Sequence, residues 1–295
     1  MYERILAPLD GSGNAEIVLP YAEEIAAKFG AEIDLVSVAE SGTTDVRHLL
    51  RSYLEHITEQ VVRDVREWSP VKELAVNIEV LAGKPADQIV DYAGKAGAGL
   101  IVLANRGSSG QGPWFLGSTA AKILRATEKP VLLVRAAAGE KALRQRRLIK
   151  RILLPLDGSD TGEAAIPHAE MLAKILGAEL VLFEVVEPEQ TWSGEVSYPT
   201  PEKQDRRKLF ALPYLEGAAN PLKRKGLAVG TAVAIGSPAD QIIDYAKANA
   251  IDLIAMSTHG HSGMGRWVFG SVTDKVLHAG ETPVLVVRAS AKATP

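Results

Sequence analysis

Leu100-Ile101-Val102-Leu103-Ala104 is apolar at every position. A strand with one wet face alternates polar and apolar residues. A strand apolar throughout is covered on both faces, as in parallel sheets flanked by helices. Directly after it come Asn105-Arg106-Gly107 and, further on, Gly117-Ser118. The arrangement returns downstream, where Ile251–Ser257 is followed by Gly260 and then Gly270-Ser271.

Working outward, the recurrence covers the whole chain. Ile5-Leu6-Ala7-Pro8-Leu9-Asp10-Gly11-Ser12 returns as Ile152-Leu153-Leu154-Pro155-Leu156-Asp157-Gly158-Ser159, at an offset of 147. Gly83-Lys-Pro-Ala-Asp-Gln-Ile-Val-Asp-Tyr-Ala93 returns as Gly236-Ser-Pro-Ala-Asp-Gln-Ile-Ile-Asp-Tyr-Ala246, identical at 9 of 11 positions. Pro130-Val-Leu-Leu-Val-Arg135 returns as Pro283-Val-Leu-Val-Val-Arg288, now at an offset of 153, so the second copy carries six extra residues in its middle. A period this long is a whole domain with its own core, not a short solenoid repeat. The expected organisation is a first domain over 1–137, a linker over 138–149 and a second domain over 150–290, each with its own version of one site.

Strand-like runs alternate with helical patterns in both copies. The first reads as strands Arg4–Leu9, Ile33–Val38, Ala75–Leu81, Gly99–Ala104 and Val131–Arg135, with helices near Asn14–Phe29, Asp45–Trp68, Ala86–Ala96 and Ser118–Thr127. The second reads as strands Arg151–Leu156, Glu179–Val185, Ala228–Ile235, Ile251–Ser257 and Val284–Arg288. The alternation predicts an open, doubly wound α/β sheet. Pro188, Pro199, Pro201, Pro213 and Pro221 fall between Val185 and Gly236, so the helix there is expected to be shorter or broken. Ala136–Lys150 is rich in Lys and Arg and reads as a solvated tether.

Bulk composition narrows the function. The 295 residues carry a net charge of −3, with 23% charged and 46% hydrophobic residues, which argues against a broad nucleic-acid surface. There is no cysteine, which excludes thiolate chemistry and disulfides and fits a reducing, cytoplasmic setting. Met1-Tyr2-Glu3-Arg4 leads straight into a strand, so no signal peptide is expected, and no apolar run is long enough to span a membrane.

In doubly wound sheets ligands bind beyond the carboxyl ends of strands, where chain order reverses. Asp10 and Asp157 stand there, each before Gly-Ser. They can cap the following helix or accept a hydrogen bond from a ligand, and capping or turn formation is the simpler reading. The loops Gly107–Gly117 and Gly260–Gly270 each end in a serine that opens a helix. Glycine lets backbone N–H groups approach an anion, and a helix N-terminus adds unpaired donors. The arrangement suits a polyphosphate but is neither a Walker A loop nor Gly-x-Gly-x-x-Gly. The bland alternative is a plain helix cap at the end of a loop. His259 and His261 have Arg106 and Ser108 as counterparts, so no metal-ligand set repeats. Trp114 and Trp267 read as apolar loop anchors, and Asp87 and Asp240 as first-turn carboxylates that complement a helix dipole. No catalytic acid–base pair stands out.

These four motifs, in this order and twice over, resemble the universal stress proteins. The resemblance implies two tandem doubly wound parallel five-stranded sheets in the order 3-2-1-4-5, an adenine-nucleotide alpha-hydrolase-like, Rossmann-like arrangement. It implies an ATP or other adenine-nucleotide site, with Mg or Mn shielding the phosphates. Carried over, Asp10 and Asp157 read adenine or ribose, and Val38 and Val185 line the base. Gly107, Gly117 and Ser118, with Gly260, Gly270 and Ser271, hold phosphates. Pro8, Ala104 and Thr119, and Pro155, Met256, Ser257 and Val272, complete the cofactor-binding set. Arg266, where the first copy has Pro113, can reach phosphate. The family's nucleotide-binding pattern begins with a glycine that is Ala104 here and Ser257 in the second copy; both are small. The function implied is a nucleotide-binding stress-response module. A slow ATPase or nucleotide-transferring enzyme, and a scaffold that binds a partner protein, are the alternatives. In this family paired domains commonly join through their fifth strands. An intramolecular pseudo-dimer is therefore expected, with further homodimerisation open.

Overall fold

The structure, a computed structural model, describes residues 2–40, 43–69, 74–107, 116–135, 148–190, 196–197, 201–260 and 269–289. Their contacts separate into two units, Met1–Leu148 with Pro283–Val286, and Ile149–Thr282 with Val287–Pro295.

In the first unit β1 (Arg4–Pro8), β2 (Glu32–Ala39), β3 (Val76–Ala82), β4 (Leu100–Ala104) and β5 (Val131–Val134) run parallel. Their spatial order is β3-β2-β1-β4-β5, the expected 3-2-1-4-5. All of β4 and β5 is buried, as uniform apolarity requires, while β3 at the edge alternates and is largely part-exposed. Ile5 lies opposite Ile33 on one side and Leu100 on the other, which makes β1 the strand where chain order reverses. The crevice beyond its carboxyl end is where such a sheet accepts a ligand.

The helices are α1 (Gly13–Glu16), α2 (Leu19–Phe29), α3 (Thr44–Trp68), α4 (Pro85–Lys95) and α5 (Ser118–Ala126). The single helix expected over Asn14–Phe29 is therefore two. Pro20, in the first turn of α2, has no N–H to give and its ring crowds the carbonyl one turn back, so the chain stops and restarts. Leu54, Ile57, Val61 and Val65 form the buried stripe of α3 at helical spacing. α4 is entered through Gly83, whose φ of +130° a β-carbon resists.

The second unit repeats the plan. β6 (Arg151–Pro155), β7 (Glu179–Val186), β10 (Val229–Ile235) and β11 (Leu253–Ser257) are parallel in the order β10-β7-β6-β11. β8 (Glu189–Gln190) and β9 (Val196–Ser197) form a separate small ladder. A 3-10 turn over Gly162–Ala165 leads into α6 (Ile166–Leu176), followed by α7 (Pro201–Arg224), α8 (Pro238–Ala248) and α9 (Ser271–Ala279).

The expectation of a shortened or broken helix before β10 is corrected by α7, which runs 24 residues against 25 for α3. Pro201 sits at its first position, where no N–H is needed. Pro213 and Pro221 lie inside but are exposed, so the carbonyls they release face water. The helix register also relocates the extra residues. Tyr53 donates to Glu16 and Tyr214 to Glu163, both at 2.9 Å, so the two long helices correspond at an offset of 161. The second copy is thus lengthened before α7 and shortened after it.

The fifth strand of the second copy, β12 (Val284–Val287), contributes to the first unit. Val284, Leu285 and Val286 pair antiparallel with Leu133, Leu132 and Val131 of β5. In the second unit, the carbonyl of Val287 accepts from Thr258 N at 2.9 Å. Most of the sequence expected as linker falls outside the described residues, but Leu148 and Ile149 are buried, and Leu148 N donates to the Glu24 carboxylate at 3.1 Å. Among the described residues no helix is long and apolar enough to cross a membrane.

Candidate functional site

Each repeat places a carboxylate, a glycine and a helix N-terminus at the switch point of its sheet. The first is Asp10, two residues past β1. Its Oδ1 accepts the N–H of Ser12 at 3.0 Å and the Ser12 hydroxyl at 2.5 Å. Ser12 Oγ in turn accepts from Ala15 N at 3.3 Å and caps α1. In the second repeat Asp157 Oδ1 takes Ser159 N at 3.1 Å and Ser159 Oγ at 2.6 Å, and Ser159 accepts from Gly162 N at 3.0 Å. In the first repeat the helix is capped by Ser12, while in both repeats the aspartate forms the turn, the other half of the simpler sequence reading. The aspartate fixes the serine in an Asx-type turn.

The other carboxylate oxygen meets the glycine loop. A β-carbon at Gly107 would collide with Oδ2 of Asp10, and one at Gly260 would collide with Oδ2 of Asp157. Side chains from the turn after the first strand also hold the loops. Asn14 Nδ2 donates to Gly107 O at 3.3 Å, and Thr161 Oγ1 to Gly260 O at 3.0 Å. The glycines are thus required by a protein contact, before any ligand is considered.

Gly117 and Gly270 are different. Each is the N-cap of the following helix, with φ of −57°, and neither α5 nor α9 has a side-chain cap. The first-turn N–H groups after Ser118 and Ser271 carry the positive end of a helix dipole with no side-chain acceptor at the N-cap. Such an N-terminus is an anion site.

These parts line two pockets. The first, about 280 Å³, gathers Pro8, Asp10, Val38, Ala104, Gly107, Gly117, Ser118 and Thr119. The second, about 260 Å³, gathers Pro155, Asp157, Val185, Met256, Ser257, Gly260, Gly270, Ser271 and Val272. Every candidate site residue that lies among the described residues thus falls in its own repeat's pocket. Arg266, together with Trp114, Trp267 and His261, lies outside the described residues.

The sequence reading missed one wall. Pro85 and Ile89 in the first repeat, and Pro238 and Ile242 in the second, line the pockets. They belong to the Gly-x-Pro-Ala-Asp-Gln-Ile motif, whose near-identity in both copies was the available signal. The positive φ of Gly83 and Gly236 turns each strand into the helix that presents them. Asp240 of that motif is a helix-surface group. Lys275 lies 2.7 Å from it and, by its hydrogen bond, holds the carboxyl below its usual range, with Ser237 adding to the effect. The pockets also differ. Val36 and Arg106 of the first correspond to Phe183 and His259 of the second, while Glu40 and Glu187 match.

Residues 1–135 and 148–288 each match the model of the universal stress protein family. A universal stress protein of Mycolicibacterium smegmatis is 29% identical over 301 residues, covering 96% of this chain and 96% of its own length. YxiE of Bacillus subtilis is 33% identical over 148 residues, all of its own length and 48% of this chain, or one repeat. The crystal structure of a universal stress protein from Archaeoglobus fulgidus covers 98% of this chain and 100% of its own with a TM-score of 0.70, at 20% identity, a likeness of fold.

Proposed function

The chain belongs to the universal stress protein family, and from that premise we propose that each repeat binds an adenine nucleotide in the pocket at the carboxyl edge of its sheet. The observation that carries this reading is the paired geometry: a carboxylate packed on a loop glycine, beside a helix N-terminus without a side-chain cap, in both repeats.

The chemistry of the lining fits such a ligand. Val36, Val38, Pro85 and Ile89 offer apolar surface to a base in the first pocket, as Phe183, Val185, Pro238 and Ile242 do in the second. Asp10 and Asp157 can accept from a ribose hydroxyl or a base amine. The N–H groups after Gly117 and Gly270, with the Ser118 and Ser271 hydroxyls, suit phosphate oxygens. The family's first loop glycine is Ala104 in one copy and Ser257 in the other, and both side chains are small enough to leave the backbone approachable. Mg or Mn would neutralise charge on the phosphates. Repeats 1–137 and 150–290 act as paired modules whose nucleotide occupancy is the regulatory signal of a stress response. The pairing of β12 on β5 supports an intramolecular pseudo-dimer.

Calorimetry of the full chain with ATP and Mg tests the reading. Saturable heat with ATP and weaker heat with GTP are expected. Absence of heat with ATP, ADP and AMP at millimolar ligand overturns it.

A further inference from the structure

Among the described residues the two pockets share a plan but not a charge. In β2 the buried Ser37 donates its hydroxyl to Leu9 O at 2.7 Å. The corresponding residue of β7 is Glu184. Leu9 N donates to Val36 O and Leu156 N to Phe183 O, both at 2.8 Å, so Ser37 and Glu184 each follow the same ladder position. Side chains alternate along a strand, so Phe183 and Val185 face the second pocket while Glu184 stands behind it. Its Oε2 is buried and has no hydrogen-bond partner among the described residues. Burial, and then the negative charge of Asp157, push the Glu184 carboxyl above the usual carboxylate range.

The charged surroundings of Glu184 are acidic. Asp157 stands just past the end of the neighbouring strand, Glu187 follows β7 at the pocket wall, and His259 follows β11. From α7, Tyr214 donates to Glu163 at 2.9 Å and is held protonated by burial first and that hydrogen bond second. Among the described residues lining this pocket there is no Lys or Arg. The first pocket has Asp10 and Glu40, but also Arg106, and a neutral serine behind Asp10.

Resting on the nucleotide reading above, we infer that the second pocket takes its anionic nucleotide together with a proton held on Glu184, whereas the first binds without proton uptake. An ionised Glu184 sets a second negative charge behind Asp157 and opposes the phosphates. Protonated, it removes that charge and gains a hydroxyl able to donate, as Ser37 does. Binding and protonation are then linked in both directions: acid favours the nucleotide, and the nucleotide favours the proton. The first pocket has a neutral serine in place of Glu184, so it reports nucleotide alone. The second reports nucleotide and acidity together.

The experiment is titration of the full-length Arg106→Ala chain, in which the first pocket is weakened, with ATP and Mg in two buffers of different ionisation heat between pH 6 and pH 8.5. The expected result is a buffer-dependent heat that reveals proton uptake and an affinity about tenfold lower at the alkaline end. Adding Glu184→Ser, which copies the first repeat, should leave binding intact but flat with pH and without uptake. Glu184→Gln should do the same and serves if the serine variant folds poorly. Uptake that survives both substitutions, or that vanishes instead in His259→Asn, overturns the assignment to Glu184. Heat that is identical in both buffers overturns proton linkage while leaving nucleotide binding intact. No heat in any buffer, for this chain and for the unsubstituted one, removes the nucleotide reading itself.

Discussion

Glu23 in α2 faces Asp64 in α3, where the second repeat has the ion pair Glu170–Lys225 at 2.7 Å. Glu23 and Glu170 correspond at the offset of the first motif, and Asp64 and Lys225 at the offset of the long helices. Burial first, and the Asp64 charge second, push the Glu23 carboxyl up to about 8.

The first repeat should therefore lose stability as pH rises. A carboxyl raised from 4.5 to about 8 binds its proton more tightly in the folded state. Its contribution is fully present below the unfolded value and is lost as pH climbs through the folded one. Thermal unfolding should show a midpoint that falls between pH 5 and pH 8. Glu23→Gln should flatten the fall and stabilise the protein at pH 8 by about 1–3 kcal/mol. Asp64→Lys, which restores the ion pair of the other repeat, should act in the same direction. An unchanged pH slope in Glu23→Gln would remove Glu23 as the cause.

The loop glycines should separate into two classes. At Gly270 an added β-carbon meets Thr258 O at 3.5 Å, ordinary contact, and at Gly117 it meets Asn105 O at 3.3 Å. Gly270→Ala should keep its fold by circular dichroism and lose about tenfold in ATP affinity at the second site, read by calorimetry. Gly107→Ala and Gly260→Ala should instead displace Asp10 and Asp157 and lower the unfolding midpoint even without nucleotide. Equal behaviour of the two classes would mean that the aspartate contact is not what fixes Gly107 and Gly260.

Arg106 and His259 should trade places. Arg106→Ala should weaken ATP at the first pocket several-fold with a reduced salt dependence. His259→Arg should strengthen ATP binding at the second pocket several-fold. Titrations at two salt concentrations check both, and an Arg106→Ala chain indistinguishable from the parent would place the phosphates away from that loop.

Leu285 is fully buried and lies opposite Leu132. Leu285→Ala should destabilise the protein by about 2–5 kcal/mol, measured by denaturant unfolding. Residues 1–137 expressed alone leave the β5 edge without a partner, and sedimentation should find them self-associated. A monomeric, well-folded fragment would count against the edge as an association surface.

Much of the fold was legible because it was written twice. The uniform apolarity of Leu100–Ala104 gave a parallel strand, and the motif order gave the position of the switch point. Asp10, Gly107 and Gly117 were recognisable by recurrence. What stayed hidden depended on register between distant segments. Pro85 and Ile89 become pocket wall only once Gly83 turns α4 over the end of β2. Glu184 is one apolar-strand interruption among many until pairing sets it behind Asp157. The prolines of α7 suggested a break because sequence does not say which helix face meets water.

The pairing of β12 with β5 gives the first unit a history. A ribosome releases the first repeat long before it makes Val284–Val287. At about 5–20 residues per second, the roughly 150 residues between β5 and β12 take about 8–30 s to emerge. For that interval the nascent first repeat carries the apolar edge of Val131–Val134 with its final neighbour not yet synthesised. Completion of its sheet waits for β12, so a ribosome that stalls before it leaves behind a product whose first domain is still open to the wrong partner.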